Sequence, residues 1–217
     1  MTNILVVCCT RQKKETSRLH RSLTQLGFSE SCFVENNRAG LPASYNPFLE
    51  QYAGQDLILA FVHDDVEIND LLLREKLLNA ADHFDVSGLV GSSQFAFQRD
   101  ADYFTWCNLP AEHLSGAVEH TLPSGQSYWS SYGPVPHRCV VLDGLFLAVD
   151  MRKIGTVRFD ERFTFNWYDL DFCLSCHNAG LILGTTNIYA HHESGGRCLD
   201  ELYQKEKKLF WDKWRNW

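Results

Sequence analysis

Six consecutive apolar residues, Leu57-Ile58-Leu59-Ala60-Phe61-Val62, followed at once by His63-Asp64-Asp65, constrain this chain more than any other stretch. A run that is apolar at every position, rather than at alternate ones, reads as a strand buried on both faces. Polar residues just past the carboxyl end of such a strand stand where open α/β sheets bind ligands. Two adjacent carboxylates and a histidine there suit a cation. The same residues also fit a capped turn leading into a helix at Leu71.

Strand-like and helix-like patterns alternate around this run. Ile4 to Cys9 reads as a first strand, and Leu19, Leu23 and Leu26 recur at helical spacing, with Ser17 as N-cap and Gly27 as stop. A second strand at Cys32-Phe33-Val34 runs into Glu35-Asn36-Asn37, and a helix is expected after Tyr45-Asn46-Pro47. Leu71 to Ala81 repeats the helical pattern, and Val86 to Val90 reads as one further strand. This order predicts an α/β fold with a mixed, mainly parallel central sheet flanked by helices on both faces.

The second half is less regular. Ser92 to Arg138 has no clean period and carries Phe95, Phe97, Tyr103, Trp106, Tyr128, Trp129 and Tyr132. An insert of this length is expected to be functional or partly built of hairpins, and its rings suit stacking on a sugar as well as packing against the sheet. Cys139 to Asp150 reads as a strand broken at Gly144. Asp169 and Asp171 open a helix running to about Ala179, where acids oppose the macrodipole. A last strand, Leu181 to Ala190, delivers His191 and His192 before Gly195-Gly196.

Composition narrows the function classes. The 217 residues, 45% of them apolar and 22% charged, fit one well-cored domain. A formal net charge of -7 argues against a nucleic-acid surface, which needs clustered Lys and Arg. No apolar run approaches the roughly 20 residues that span a bilayer, and the start lacks the basic region of a signal peptide, so a cytoplasmic location is expected. The 8 cysteines fall in expected core elements and read as free buried thiols. Cys173-Leu174-Ser175-Cys176-His177 matches the pattern for covalent haem attachment, and a Cys-x-x-Cys can also hold zinc. Phe172, Cys173 and Cys176 follow helical spacing toward a core face, which favours small buried hydrophobes instead. The tail from Cys198 to Trp217 mixes basic residues with Leu202, Leu209, Phe210, Trp211, Trp214 and Trp217. It suits a membrane-surface helix, a homodimer contact or packing on its own domain.

Taken in order, the motifs resemble those of glycosyltransferase family 2 enzymes of the GT-A fold across nearly the whole chain. The resemblance rests on Thr10-Arg11, Glu35-Asn36-Asn37, Tyr45-Asn46, Phe61 to Val66, Asp143-Gly144, Phe159-Asp160-Glu161, Tyr168 to Asp171 and His191-His192. It implies one GT-A domain over 1–217, with a nucleotide-binding half at 1–91 and an acceptor-binding half at 92–217.

It also implies a chemistry. Sugar transfer from a nucleoside-diphosphate sugar, UDP- or GDP-linked, leaves a diphosphate whose charge calls for Mn²⁺ or Mg²⁺ held by carboxylates. By resemblance Asp65 anchors the metal, with His192, or its neighbour His191, completing the site. Thr10, Arg11, Glu35, Asn37, Asp64 and His63 line the nucleotide pocket. Asp169 is the expected general base of an inverting displacement onto a glycan or lipid-linked acceptor. Asp143, Gly144, Trp167, Tyr168 and Trp129 are expected around the sugar and acceptor, and Asp171 is expected to be structural. Tyr168 replaces the family's usual glutamate, and His63 stands where the family often has a further aspartate. A non-catalytic module of the same fold, holding a nucleotide-sugar or glycan, is the alternative.

Overall fold

The computed structural model describes residues 2–95, 101–122, 124–193, 200–215 and 217. Phe97, Gly195, Gly196 and Cys198 lie outside the described residues. Strand β1 (Asn3–Cys9) leads through an extended Ser17 into α1 (Arg18–Gln25), whose start is capped by the Ser17 side chain accepting from His20 N. The helix buries Leu19 and Leu23 and stops before Gly27, which adopts φ 67. Then follow β2 (Ser31–Val34), α2 (Leu41–Gln51), β3 (Leu57–Val62), β4 (Val66–Ile68), α3 (Leu73–Ala81), β5 (Val86–Gly88) and β6 (Val90–Ser92). The second half supplies β7 (Leu114–Thr121), β8 (Ser127–Gly133), β9 (Arg138–Cys139), β10 (Val141–Leu142), β11 (Phe146–Asp150), α4 (Tyr168–Asn178), β12 (Leu183–Thr185), β13 (Ala190–His192) and α5 (Glu201–Trp214).

Among the described residues these strands form two sheets. The larger runs β2-β1-β3-β11-β5-β12-β9 and the smaller β10-β6-β7-β13-β4, with β8 paired to β7. β1 is parallel to β2 and to β3, so the carboxyl ends of three adjacent strands share one edge. β11 runs antiparallel between β3 and β5, with Phe146 opposite Val62, which brings the Asp143–Gly144 turn to that same edge. Every residue of β3 is buried, as a run without alternation requires. Helix α2 packs on β1 and β3, α3 on β11 and β5, and α4 on β10 and β12.

Several boundaries differ from the sequence reading, each for a local reason. Val86 to Val90 is two strands in different sheets, separated by Leu89. The crossing is tight: a Cβ on Gly91 would sit 2.4 Å from the Val141 carbonyl oxygen. Leu181 to Ala190 likewise divides into β12 and β13, so His191 and His192 lie within a strand of the smaller sheet rather than beyond its end. Helix α2 begins before Tyr45, with Pro42 in its first turn, where a missing N–H costs nothing, and Pro47 inside it. Leu71 and Leu72 precede α3 and are 88% and 55% exposed.

The tail helix takes one of its three expected places, packing on its own domain. Tyr203, Phe210, Trp211 and Trp214 of α5 are buried in the core of this same chain, so the aromatic face is not left for a membrane or a second copy. Among the described residues no helix is long and apolar enough to cross a membrane. Cys8, Cys9, Cys139, Cys173 and Cys176 are buried free thiols. Burial raises the Cys173 and Cys176 thiols well above their usual range, which disfavours the thiolate that haem or zinc chemistry would use.

Candidate functional site

The turn after β3 is fixed by the start of α1. The Asp64 carbonyl accepts from Arg18 N at 3.1 Å and from the Ser17 hydroxyl at 2.9 Å. On the other side, Glu193 N donates to the Asp65 carbonyl at 3.1 Å, and His63 N to Leu145 O at 3.1 Å. Three separate segments thus clamp the backbone of 63–65 and present its side chains to one place.

There His63, Asp65 and His192 offer ligand atoms that all lie within 4.8 Å of one another. Asp65 Oδ1 is 3.4 Å from His192 Nε2 yet is buried without a hydrogen bond, and so is His192 Nδ1. Buried polar atoms are nearly always partnered, so two orphans on neighbouring residues of one ionisable cluster point to a place built for a ligand. Electrostatics agree. Burial opposes charge on His192, but the Asp65 carboxylate outweighs it and raises the imidazole above its ordinary value. For Asp65 burial pushes upward, and His192 and His63 reverse this to a net lowering. Burial lowers His63, with Asp65 only partly compensating. One carboxylate and two imidazoles form a donor set that Mn²⁺ accepts readily and Mg²⁺ less so.

Strand alternation separates the two histidines. His192 pairs with His120, which pairs with Tyr128, while His191 pairs with Glu119, which pairs with Trp129. The first row faces the cluster: His120 lies 5.6 Å from His192 and 5.5 Å from Tyr128 between ring centroids, and His63 lies 6.2 Å from His192. The second row faces away, with the His191 ring nitrogen bonded to Thr121 at 2.7 Å and Trp129 stacked on Tyr189. His191 and Trp129 are therefore not brought to the cluster, because a period of two puts neighbours on opposite faces.

The second dense segment arrives from α4. Trp167 has φ 64, an uncommon conformation for a large side chain that costs on the order of 1 to 3 kcal/mol. The ring is fully buried against Tyr203, Phe210 and Trp211, so it anchors the turn and does not meet an acceptor. The turn is held from α5: buried Glu206 accepts from Thr164 N, and from Asn166 N and Nδ2 at 2.8 and 2.9 Å. Asp171 is tied to α5 by Trp214 Nε1 at 2.8 Å and by Lys213, a structural role as expected. Phe165, half exposed, stacks on His63 at 5.9 Å.

Tyr168 and Asp169 face the Asp143–Gly144 turn. The Tyr168 hydroxyl lies 3.0 Å from Gly144 O and 2.9 Å from His63 Nε2. Asp169 is 3% exposed. Its Oδ2 accepts from Gly144 N at 2.7 Å and from the Tyr103 hydroxyl at 2.5 Å, and its Oδ1 accepts from Leu170 N at 2.9 Å. Burial first, then the partly exposed Asp143 carboxylate, raises the Asp169 carboxyl to about 7, although its three donors pull downward. A Cβ on Gly144 would lie 2.5 Å from the Tyr168 hydroxyl and 2.9 Å from Asp169 Oδ2, so only glycine permits this approach.

The expected nucleotide residues sit along the edge made by β2, β1 and β3. Thr10 follows β1, and its carbonyl accepts from Asn37 N at 2.9 Å, joining the β1 and β2 loops. Arg11 and Glu35 are exposed, Glu35 accepting from Lys14 N, and Asp64 is partly exposed at the rim. Asn37 is placed differently: its amide bonds Ala39 N and Gly40 O and is spent on the turn before α2. Asn46 bonds Phe159 N and O and Glu161, locking two of the motifs to each other. An open groove of about 860 Å³ beside α1 and β2 includes Glu35, Lys14, His20 and Phe33 but not the metal-capable cluster. Convergent ionisable groups, not size, define the site here.

Solved structures resemble this fold over most of the chain. "Crystal structure of GalNAc-T7 with UDP, GalNAc and Mn2+" aligns with TM-score 0.56 at 9% identity, over 100% of this chain and 49% of that one. "Crystal structure of S. aureus TarS 1-349" aligns with TM-score 0.53 at 14% identity, over 99% and 66%. The fold is that of the GT-A glycosyltransferases. The chain spans about half of the first and about two thirds of the second. A third neighbour, A197 from STIV, aligns with TM-score 0.52 at 12% identity over 88% of this chain and 86% of that one. No protein-family model matches the chain, and no curated protein matches it by sequence. GT-A architecture accounts for the shared strand edge but at these identities assigns no residue.

Two residues beside this site escaped the sequence reading. Tyr103 comes from an aperiodic insert that carries no signal of where it lands. His120 sits in β7, where His120 and Val118 alternate with Glu119 and Thr121, a pattern that marks its face once the strand is recognised.

Proposed function

We propose that the protein is a metal-dependent glycosyltransferase of the family 2 type, moving a sugar from a nucleoside-diphosphate sugar to a hydroxyl of a glycan or lipid-linked acceptor with inversion. The observation that carries this reading is the convergence of His63, Asp65 and His192, with two orphaned buried atoms, at the carboxyl edge of three parallel strands. Support comes from the GT-A neighbour whose structure holds UDP, GalNAc and Mn²⁺.

In this reading Asp65 and His192 hold the cation, with His63 beside them. The bound cation would neutralise charge growing on the diphosphate leaving group. Glu35 and the Thr10–Arg11 loop hold the nucleoside, with Asp64 at the ribose. Tyr128 and His120 extend the ring-lined wall outward from His192 toward the sugar or acceptor. Asp169 takes the acceptor proton, and a carboxyl raised to about 7 suits a base working near neutrality. Its Oδ2 is covered by the Tyr103 hydroxyl, so either Tyr103 relays the proton or it yields to the acceptor. The unit 1–217 acts as one domain, with buried free thiols that suit the cytoplasm.

The sealed environment of Asp169 favours one second reading, a GT-A module that binds nucleotide-sugar without turnover. A panel of UDP-, GDP-, dTDP- and CMP-sugars with Mn²⁺ separates the two. At 100 times Kd a ligand adds about 2.7 kcal/mol, a melting shift of roughly 5 to 11 °C at this size. Stabilisation with release of free nucleotide in the presence of acceptors supports the transferase, and stabilisation without release supports the module. A shift that does not depend on metal rejects the metal-dependent transferase, and no shift with any donor rejects both.

A further inference from the structure

Two departures from the family pattern, His63 and Tyr168, are 105 positions apart in sequence and touch each other. The Tyr168 hydroxyl has one proton. It lies 3.0 Å from Gly144 O, which can only accept, and 2.9 Å from His63 Nε2. Both contacts are hydrogen bonds only if the hydroxyl donates to Gly144 O and accepts from an Nε2–H of His63. That assignment puts the single ring proton of neutral His63 on Nε2 and leaves Nδ1 with a bare lone pair. The opposite tautomer would leave one of the two contacts unmade in a buried place. Phe165 stacked on one side of the imidazole and His192 on another limit its rotation.

We infer that His63 is a metal ligand through Nδ1, and that Tyr168 is its positioning residue, fixing ring orientation and tautomer from behind. A histidine that binds a metal characteristically donates its other N–H to an oxygen of the protein, and here that oxygen is a phenol anchored to the Gly144 carbonyl. The two replacements are thus one change: a histidine near the metal needs an acceptor behind it, and the residue at 168 is a tyrosine whose hydroxyl reaches it. The consequence for chemistry is selectivity. With His63 counted, the protein's donors are two imidazoles and one carboxylate, a softer set than carboxylates alone. It binds Mn²⁺, Co²⁺ or Zn²⁺ in preference to Mg²⁺. This rests on the metal reading above and adds to it the identity of a ligand and the class of cation.

The test uses the whole chain and needs no turnover. Proton–nitrogen correlation spectra of the ¹⁵N-histidine-labelled protein read the His63 tautomer directly, and titration with Mn²⁺ followed by electron paramagnetic resonance reads affinity. Expected are an Nε2–H His63 and a Tyr168→Phe variant that loses this tautomer preference and binds Mn²⁺ on the order of 10- to 100-fold more weakly. His63→Ala should weaken binding at least as much, and His63→Asp should restore binding while lowering the Mn²⁺ over Mg²⁺ preference. Circular dichroism checks that each variant is folded, and the three substitutions keep the inference testable if one is not. An Nδ1–H His63, or Mn²⁺ binding within twofold of wild type in both Tyr168→Phe and His63→Ala, overturns it. If the wild type binds Mn²⁺ and needs Asp65 but not His63, this inference fails while the transferase reading stands. If the wild type binds no divalent cation, both fall.

Discussion

Replacing Asp169 by Asn gives a test of the site that requires no substrate. In the folded protein the carboxyl is buried beside Asp143 and is raised from 3.8 to about 7. Between those values the unfolded chain has released a proton that the folded protein still holds, so stability falls as pH rises through the window and levels off above it. The window is about 3 pH units wide, and at 1.36 kcal/mol per unit the group costs the wild type about 4 kcal/mol between pH 4 and pH 8. Asn has no such dependence. It carries instead a pH-independent penalty of about 1 to 3 kcal/mol, because an amide nitrogen facing Gly144 N or Leu170 N sets donor against donor. Urea denaturation of both proteins at pH 4, 6 and 8 should therefore give a stability difference that moves by about 4 kcal/mol in favour of the Asp169→Asn variant as pH rises. Asp65 and the carboxylates remote from Asp169 cancel, while Asp143, which faces it, is part of what the difference reads. Parallel curves, within about 1 kcal/mol across the range, would refute the account of a carboxyl held neutral by burial.

Other perturbations have equally direct readouts. Gly144→Ala drives a methyl group into the Tyr168 hydroxyl and Asp169, and should cost about 1 to 3 kcal/mol in a thermal melt while weakening Mn²⁺ binding. Glu206→Ala leaves Thr164 N and Asn166 N without their acceptor. A loss of about 3 kcal/mol or more is expected, seen as a melting temperature lowered by roughly 6 to 12 °C. Asp65→Asn should abolish Mn²⁺ binding measured by calorimetry; because it also removes the carboxylate facing His192, a thermal melt confirms that the variant is folded. Trp129→Ala, on the far face from His192, should leave Mn²⁺ affinity unchanged in the same measurement, whereas an effect would contradict the strand register.

Much of this arrangement was legible because it depends on local pattern. The unbroken apolar run of β3 requires burial on both faces, and the charged residues that follow it have only the sheet edge to occupy. Ser17 and Gly27 bracket α1 by chemistry that acts within one turn. What failed depended on register and on partners far away in sequence. His191 and His192 are equivalent in a list of residues, and only pairing with Glu119 and His120 separates them. Tyr128 and Trp129 are divided by the same rule. The break at Leu89 was hidden because a residue leaving one sheet for another keeps its apolar character throughout. Trp167 was expected near the sugar and acceptor by resemblance alone, while the left-handed turn that buries it is held from α5. Tyr103 was visible as an aromatic, but nothing near it announces Asp169.

The place of β11 has a consequence for the chain during its synthesis. β3 is apolar on both faces, and one of its two edges is satisfied only by β11, whose residues are made more than eighty positions later. Until Phe146–Asp150 leaves the ribosome, the half-made sheet presents an open, uncharged edge, the kind that joins other chains. A chain stopped just before that strand should be found in aggregates, and a helper protein that shields the β3 edge at that moment would raise yield without touching the finished molecule.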